Sequence, residues 1–176
     1  MFYLFLADGF EEIEALAVVD ILRRAAVPVL TVGVAGETVE GAHGIKVEAD
    51  IPLSRVEPDK MEGIILPGGM PGTTNLDESE ALSSLLTFAA ENALWLCAIC
   101  AAPLILGKRG FLNGKRATCF PGFEEYLKGA TLGKGVCRDG KVITAAGPGV
   151  ASEFAFAILE ALGKDAAALK KDMQYA

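Results

Sequence analysis

The chain has 176 residues, long enough to bury a core as one domain over residues 1–176. Apolar residues make up 52% of it but fall in short runs, none near the roughly 20 residues a membrane-spanning helix needs. A net charge of −7 argues against a nucleic-acid surface, which requires clustered Lys and Arg. The opening "MFYLFLADGFEE" has no basic segment and turns acidic at once, so it reads as a first strand rather than a signal peptide. Four cysteines without a secretion signal are expected as free thiols in a reducing cytoplasm.

Apolar strand-like runs alternate with helical patterns along the chain. Residues 2–6, "FYLFL", predict a buried strand, and "EEIEALAVVDILRRAAV" a helix whose basic end, Arg23 and Arg24, suits a C-terminus. "PVLTVGV" predicts the second strand. "GIILPGG" and "ALWLCAI" are two further apolar runs, separated by the helix-like "ESEALSSLLTFAAEN". Strands apolar throughout are buried on both faces, which implies a mostly parallel sheet with helices on either side. "KGVCRDGKVITAAG" places Asp139-Gly140 between two short strands as a hairpin turn, and "GVASEFAFAILEALG" closes with a helix stopping at Gly163. The architecture is doubly wound α/β, with ligands expected beyond the carboxyl ends of the strands.

Two cysteines lie three apart in "ALWLCAICAAP". In an extended segment they would be about 10 Å apart at ~3.3 Å rise per residue, beyond the roughly 7 Å a disulfide spans. Cys97 therefore reads as a small core hydrophobe. Cys100 falls where the strand ends and a helix with Pro103 in its first turn begins. A side chain at such an elbow points out at the top of the sheet, and a helix N-terminus is expected to lower its thiol pKa. The same turn leaves the Ala101 N–H free for an oxyanion. The alternative is a second buried core thiol.

"ILPGGMPG" ends another strand in Pro67-Gly68-Gly69, where a backbone without Cβ atoms offers close approach to a ligand, or simply turns. In "ADGFEEIEALAV", Asp8 and Glu11 fit a capping box and Glu12 suits the helix dipole. Glu14 is left over. It sits a turn further in on a largely apolar helix, either desolvated, with a raised pKa and a proton to shuttle, or partly exposed on a rim. His43, in "EGAHGIK", is the single histidine; it either reaches a site through folding or is an exposed turn residue. Asp20 and Arg24 are spaced to pair along the first helix, and Cys119 and Cys137 read as structural.

Taken together, "FEEIEA", "LPGG", "AICAAP" and "AAGPGVASEFAFAILEAL" resemble the ThiJ/PfpI superfamily, in its protein-deglycase branch. The resemblance covers essentially the whole chain. It implies a flavodoxin-like, class I glutamine amidotransferase-like sheet and a homodimer. It further implies Cys100 as nucleophile, Glu14 as thiol partner, and Gly69 and Ala101, with Gly68 beside them, as oxyanion and substrate-binding positions. Ala101 stands where protease-like members carry histidine, and Phe120 where deglycase-branch members place one. The expected activity is a cofactor-independent glyoxalase or deglycase reaction on small α-oxoaldehydes or glycated protein, methylglyoxal giving lactate. A redox sensor or chaperone built on oxidation of Cys100 is the alternative, and a cysteine peptidase ranks last for want of a placed histidine. No Walker loop, dinucleotide fingerprint or zinc spacing occurs, so neither cofactor nor metal is expected.

Overall fold

The computed structural model describes residues 1–175. In chain order its elements begin with strand β1 (Phe2–Leu6), helix α1 (Glu12–Arg24) and strand β2 (Val29–Gly33). Then come β3 (Thr38–Glu40), β4 (Lys46–Glu48), β5 (Ile51–Pro52) and β6 (Gly63–Leu66), followed by α2 (Gly72–Asp77) and α3 (Glu80–Glu91). β7 (Trp95–Ile99), α4 (Pro103–Lys108), β8 (Arg116–Ala117) and β9 (Thr131–Leu132) lead to β10 (Val136–Asp139) and β11 (Val142–Ala145). α5 (Ala151–Ala161) and α6 (Ala166–Asp172) close the chain.

The central sheet runs β10-β11-β7-β6-β1-β2-β5 and is parallel at every pairing except β10 with β11. That exception is the expected hairpin, with its two-residue turn one position later, at Gly140-Lys141, and Asp139 paired with Val142. The order of the five inner strands reverses at β1, which leaves a crevice at the carboxyl ends of β1 and β6, the place where doubly wound folds bind ligands. Register is strict because each side of the sheet packs on its own layer. Phe2, Leu4 and Leu6 of β1 join one core with α1 and α5, while Tyr3 and Phe5 join the other with α3 and α4.

Several small elements have no counterpart in the sequence reading. β3 and β4 are three residues each and pair as a separate antiparallel ribbon, "TVE" against "KVE". α2 has six residues, and β5, β8 and β9 have two each. α6 follows the Gly163 stop; its N-cap Asp165 accepts the Ala168 N–H at 2.9 Å, and Leu169 and Met173 pack against the core. The predicted capping box also does not form. α1 is capped by Glu11, which accepts the Glu14 N–H at 2.8 Å. Asp8 instead accepts the Glu40 N–H at 2.9 Å. Among the described residues no helix is long and apolar enough to cross a membrane.

Phe154 on α5 is fully buried in the first core, whereas Glu153 beside it is exposed. Phe154→Ala should lower unfolding free energy by about 3–5 kcal/mol and Glu153→Ala by no more than about 0.5 kcal/mol, as measured by urea denaturation.

Candidate active site

Three strands deliver the expected residues to one place. β7 ends at Ile99, and Cys100 adopts φ +65°, left-handed backbone that an L-residue other than glycine seldom occupies. The conformation is held from both sides: the Cys100 N–H donates to Ala145 O at 2.9 Å, and Cys100 O accepts the Phe120 N–H at 2.7 Å. Such strain, of order 1–3 kcal/mol, persists only where the surroundings over-determine it. Cys97 points into the core between the neighbours of β7, and burial drives its thiol pKa upward. Cys119 and Cys137 are buried too; burial pushes Cys119 up to about 11. Cys100 is the partly exposed thiol of the four.

β6 and α1 bring the acid. The turn after β6 is locked to the start of α1 by a reciprocal pair: Gly68 O accepts the Glu11 N–H at 2.9 Å, and the Gly68 N–H donates to Glu14 Oε2 at 2.8 Å. Glu14 is 1% exposed. Its Oε1 is buried with no hydrogen-bond partner, and the Cys100 thiol is the neighbour that, with the Gly68 N–H, favours the carboxylate. Glycine is required in this gap, because a Cβ on Gly68 would stand 2.6 Å from Cys100 Cβ and 2.8 Å from Glu14 Oε2. Gly69 follows with φ +87°, and its N–H and that of Ala101 stand close enough to the Cys100 sulfur to favour its anion.

The electrostatics differ from expectation at the sulfur. Burial, and after it the Glu14 carboxylate, push the Cys100 thiol up to about 12, against the pull of the Gly69 and Ala101 N–H groups. The anticipated helix dipole is weak because α4 has only six residues and starts beyond Ala102. Burial also lifts Glu14 from its ordinary 4.5 to about 7, against the Gly68 and Cys100 hydrogen bonds that favour its anion. Below about 7 both groups are therefore protonated, and above it Glu14 gives up its proton while the thiol keeps its own, so a sulfur anion forms near neutral pH only when the thiol proton passes to the Glu14 carboxylate.

Above the sulfur lies a cavity of about 530 Å³ lined by Glu11, Glu12, Ile13, His43, Ile45, Gly69, Cys100, Phe120 and Pro148. Folding thus brings His43 to the site, on the turn between β3 and β4, but engages it with Glu12. Nδ1 lies 2.7 Å from Glu12 Oε2, and the His43 N–H donates to Glu12 Oε1 at 2.7 Å. Burial opposes ionisation of Glu12, yet these bonds hold its carboxyl below the ordinary value, while Glu12 raises the pKa of the exposed His43. The donor atoms of Glu11, Glu12 and His43 fall within 4.8 Å of one another, a grouping with ligand chemistry that linear spacing does not reveal. Ile13, Ile45 and Pro148 were not anticipated as lining residues. Glu12, besides suiting the helix dipole, holds the His43 turn against the start of α1. Asp20 pairs with Arg24 at 2.8 Å as expected, on the surface.

The raised pKa of Glu14 makes a testable link to stability. Between its unfolded and folded values the native state binds the extra proton, so stability is full below about 4.5 and falls as pH rises through about 7. Wild type should lose up to about 3 kcal/mol across that window relative to Glu14→Gln. Urea titrations of both proteins from pH 4 to 8 read the difference, and parallel curves would refute it.

The chain is similar to known proteins over nearly its whole length. Residues 2–161 match the DJ-1/PfpI family. Protein dj-1beta of Drosophila melanogaster is 38% identical over 165 residues, 91% of this chain and 88% of that one. The glutathione-independent glyoxalase DJR-1.2 of Caenorhabditis elegans is 35% identical over 158 residues, 88% of this chain and 84% of its own. In structure, oxidized Toxoplasma gondii DJ-1 superposes with a TM-score of 0.94 at 34% identity, covering 99% of this chain and 98% of the other. Its mostly parallel sheet has the flavodoxin-like, class I glutamine amidotransferase-like form, and the chain belongs to the DJ-1/PfpI family.

Proposed function

We propose that the protein is a cofactor-independent glyoxalase of the protein-deglycase type, converting small α-oxoaldehydes such as methylglyoxal to 2-hydroxy acids. The observation that carries this reading is the buried Glu14 carboxyl held beside the cavity-facing Cys100 thiol. The name of the C. elegans relative, a glutathione-independent glyoxalase, supports it. A sequence that needs no glutathione must supply its own thiol, and Cys100 is the one that opens on the cavity.

In this mechanism the Cys100 sulfur, having passed its proton to Glu14, adds to the aldehyde carbon. A carbon–sulfur bond forms, the carbonyl π bond breaks, and the N–H groups of Gly69 and Ala101 meet the developing oxyanion. The Glu14 proton completes the hemithioacetal. Glu14 then takes the hydrogen of that carbon as a proton, giving an enediol, and returns a proton to the adjacent carbon. The former aldehyde carbon is oxidised to a thioester as the former ketone carbon is reduced to an alcohol. Water cleaves the thioester, releasing the hydroxy acid and restoring the thiol. One water is consumed and no external oxidant or reductant is needed. Glycated protein is an alternative substrate: the sulfur takes the place of the protein's amine or thiol on the former aldehyde carbon, that carbon–nitrogen or carbon–sulfur bond breaks, and the freed group takes the proton from Glu14.

A redox-sensing role is a second reading, favoured by the accessibility of Cys100 among four thiols and by the oxidized state of the T. gondii structure. Peptidase chemistry is disfavoured because the single histidine, His43, gives Nδ1 to Glu12. The outer face of α1, with Leu16 exposed near the Asp20–Arg24 pair, is the surface proposed for a homodimer. A reducing, cytoplasmic setting suits the free thiols.

Cys100→Ser and Glu14→Gln should each reduce lactate formation from methylglyoxal at least 100-fold, a magnitude in the range of losing a nucleophile or a general acid–base group. A chiral chromatographic lactate assay on reduced protein is the measurement. Wild-type protein that makes no lactate, or variants that retain it, would remove the enzymatic assignment and leave the redox reading.

A further inference from the structure

The cavity above Cys100 is built for something bulkier and less polar than methylglyoxal. Its volume of about 530 Å³ falls in the roughly 300–1,000 Å³ range of sites that enclose drug-sized molecules, and a single methyl group would leave most of it to water. Large apolar side chains gather at this one cavity: Ile45 at 52% and Phe120 at 42% exposure, with Ile13 beside them at the edge of the α1 face proposed for the dimer. Apolar side chains concentrated around a concave site mark a binding surface, whereas scattered ones carry no such meaning.

Phe120 is the fixed member of the group. Its N–H is held by Cys100 O at 2.7 Å. Its ring rests on Gly147, where an added Cβ would meet ring carbons at 3.1 and 3.5 Å. The ring is thereby set beside the elbow that carries the sulfur. Charge narrows the choice further. Besides the Cys100 thiol, the ionisable groups of the lining are Glu11, Glu12 and His43, with no Lys or Arg among the described residues there. The His43 imidazole is already paired with the Glu12 carboxyl, and Glu11 adds a second acidic group, so the wall as a whole does not favour a phosphate or carboxylate on the substrate.

Resting on the glyoxalase reading, we propose that Phe120 is a specificity-determining residue and that the preferred substrates are uncharged α-oxoaldehydes bearing an aryl or branched alkyl group. Cys100 attacks the aldehyde carbon while the substituent on the ketone carbon lies against the Phe120 ring. The product is the corresponding 2-hydroxy acid, and the chemical balance is that given above for methylglyoxal.

The test compares phenylglyoxal with methylglyoxal in wild type, Phe120→Ala and Phe120→Leu. Aryl aldehydes differ in intrinsic reactivity, so the readout is how the ratio of their kcat/KM values changes between proteins. Phe120→Ala should lower the phenyl-to-methyl ratio about tenfold, the effect of some 1.4 kcal/mol of lost contact, and Phe120→Leu should recover most of it. A second measurement needs no turnover: protection of Cys100 from iodoacetamide by neutral mandelamide and lactamide. Mandelamide should protect wild type at a concentration at least tenfold below lactamide, and Phe120→Ala should erase the difference. An unchanged ratio, or equal protection by the two amides, would overturn the proposal even if both aldehydes are consumed. Mandelamide-selective protection without hydroxy acid from either aldehyde would uphold the aryl-selective cavity and overturn the glyoxalase reading instead.

Discussion

One proton shared between a buried carboxyl and a sulfur is the constraint to which the rest of the site answers. Glu14 has almost no solvent, and its partners are the Gly68 amide and the Cys100 thiol. Desolvation alone would keep both groups neutral, and the Gly69 and Ala101 N–H groups are what offset this for the sulfur. The backbone around the pair is arranged accordingly. Gly68 has no side chain because its Cβ would occupy the space between the two reacting groups, and the reciprocal bonds between Gly68 and α1 keep the carboxyl from swinging toward water.

Those contacts come from segments far apart in the chain, and the sheet is what brings them into register. β1, β6 and β7 are neighbours in parallel, so their carboxyl ends lie side by side and the three following turns converge. The elbow at Cys100 is strained, and the strain is carried by strand β11 on one side through Ala145 and by the loop carrying Phe120 on the other. Stability stored in two apolar layers is thus spent locally on holding one sulfur at an unfavourable dihedral angle.

Much of this was legible before any coordinates. Continuous apolar strands announced a two-faced parallel sheet, and Glu14 stood out because Glu11 and Glu12 had other duties available. Cys100 stood out because it ended a strand immediately before a proline-led helix. What escaped has physical causes. The thiol pKa depends on burial and on a neighbouring charge, neither of which spacing reports, so the expected dipole effect was outweighed. The capping of α1 was misassigned because Asp8 finds the Glu40 amide across the fold, a partner no local pattern contains. Ribbon β3–β4 is too short and too polar to show periodicity, yet it carries His43 and Ile45 to the cavity. The small helix α6 lies beyond a glycine that legitimately ends α5.

The bond that steadies the elbow from the Phe120 side is made by a main-chain amide, not by a ring. Any amino acid except proline supplies that amide equally well. The position is therefore free to exchange its side chain over evolutionary time while the sulfur keeps its perch, so that diversification of appetite and preservation of reactivity are handled by different atoms of a single residue.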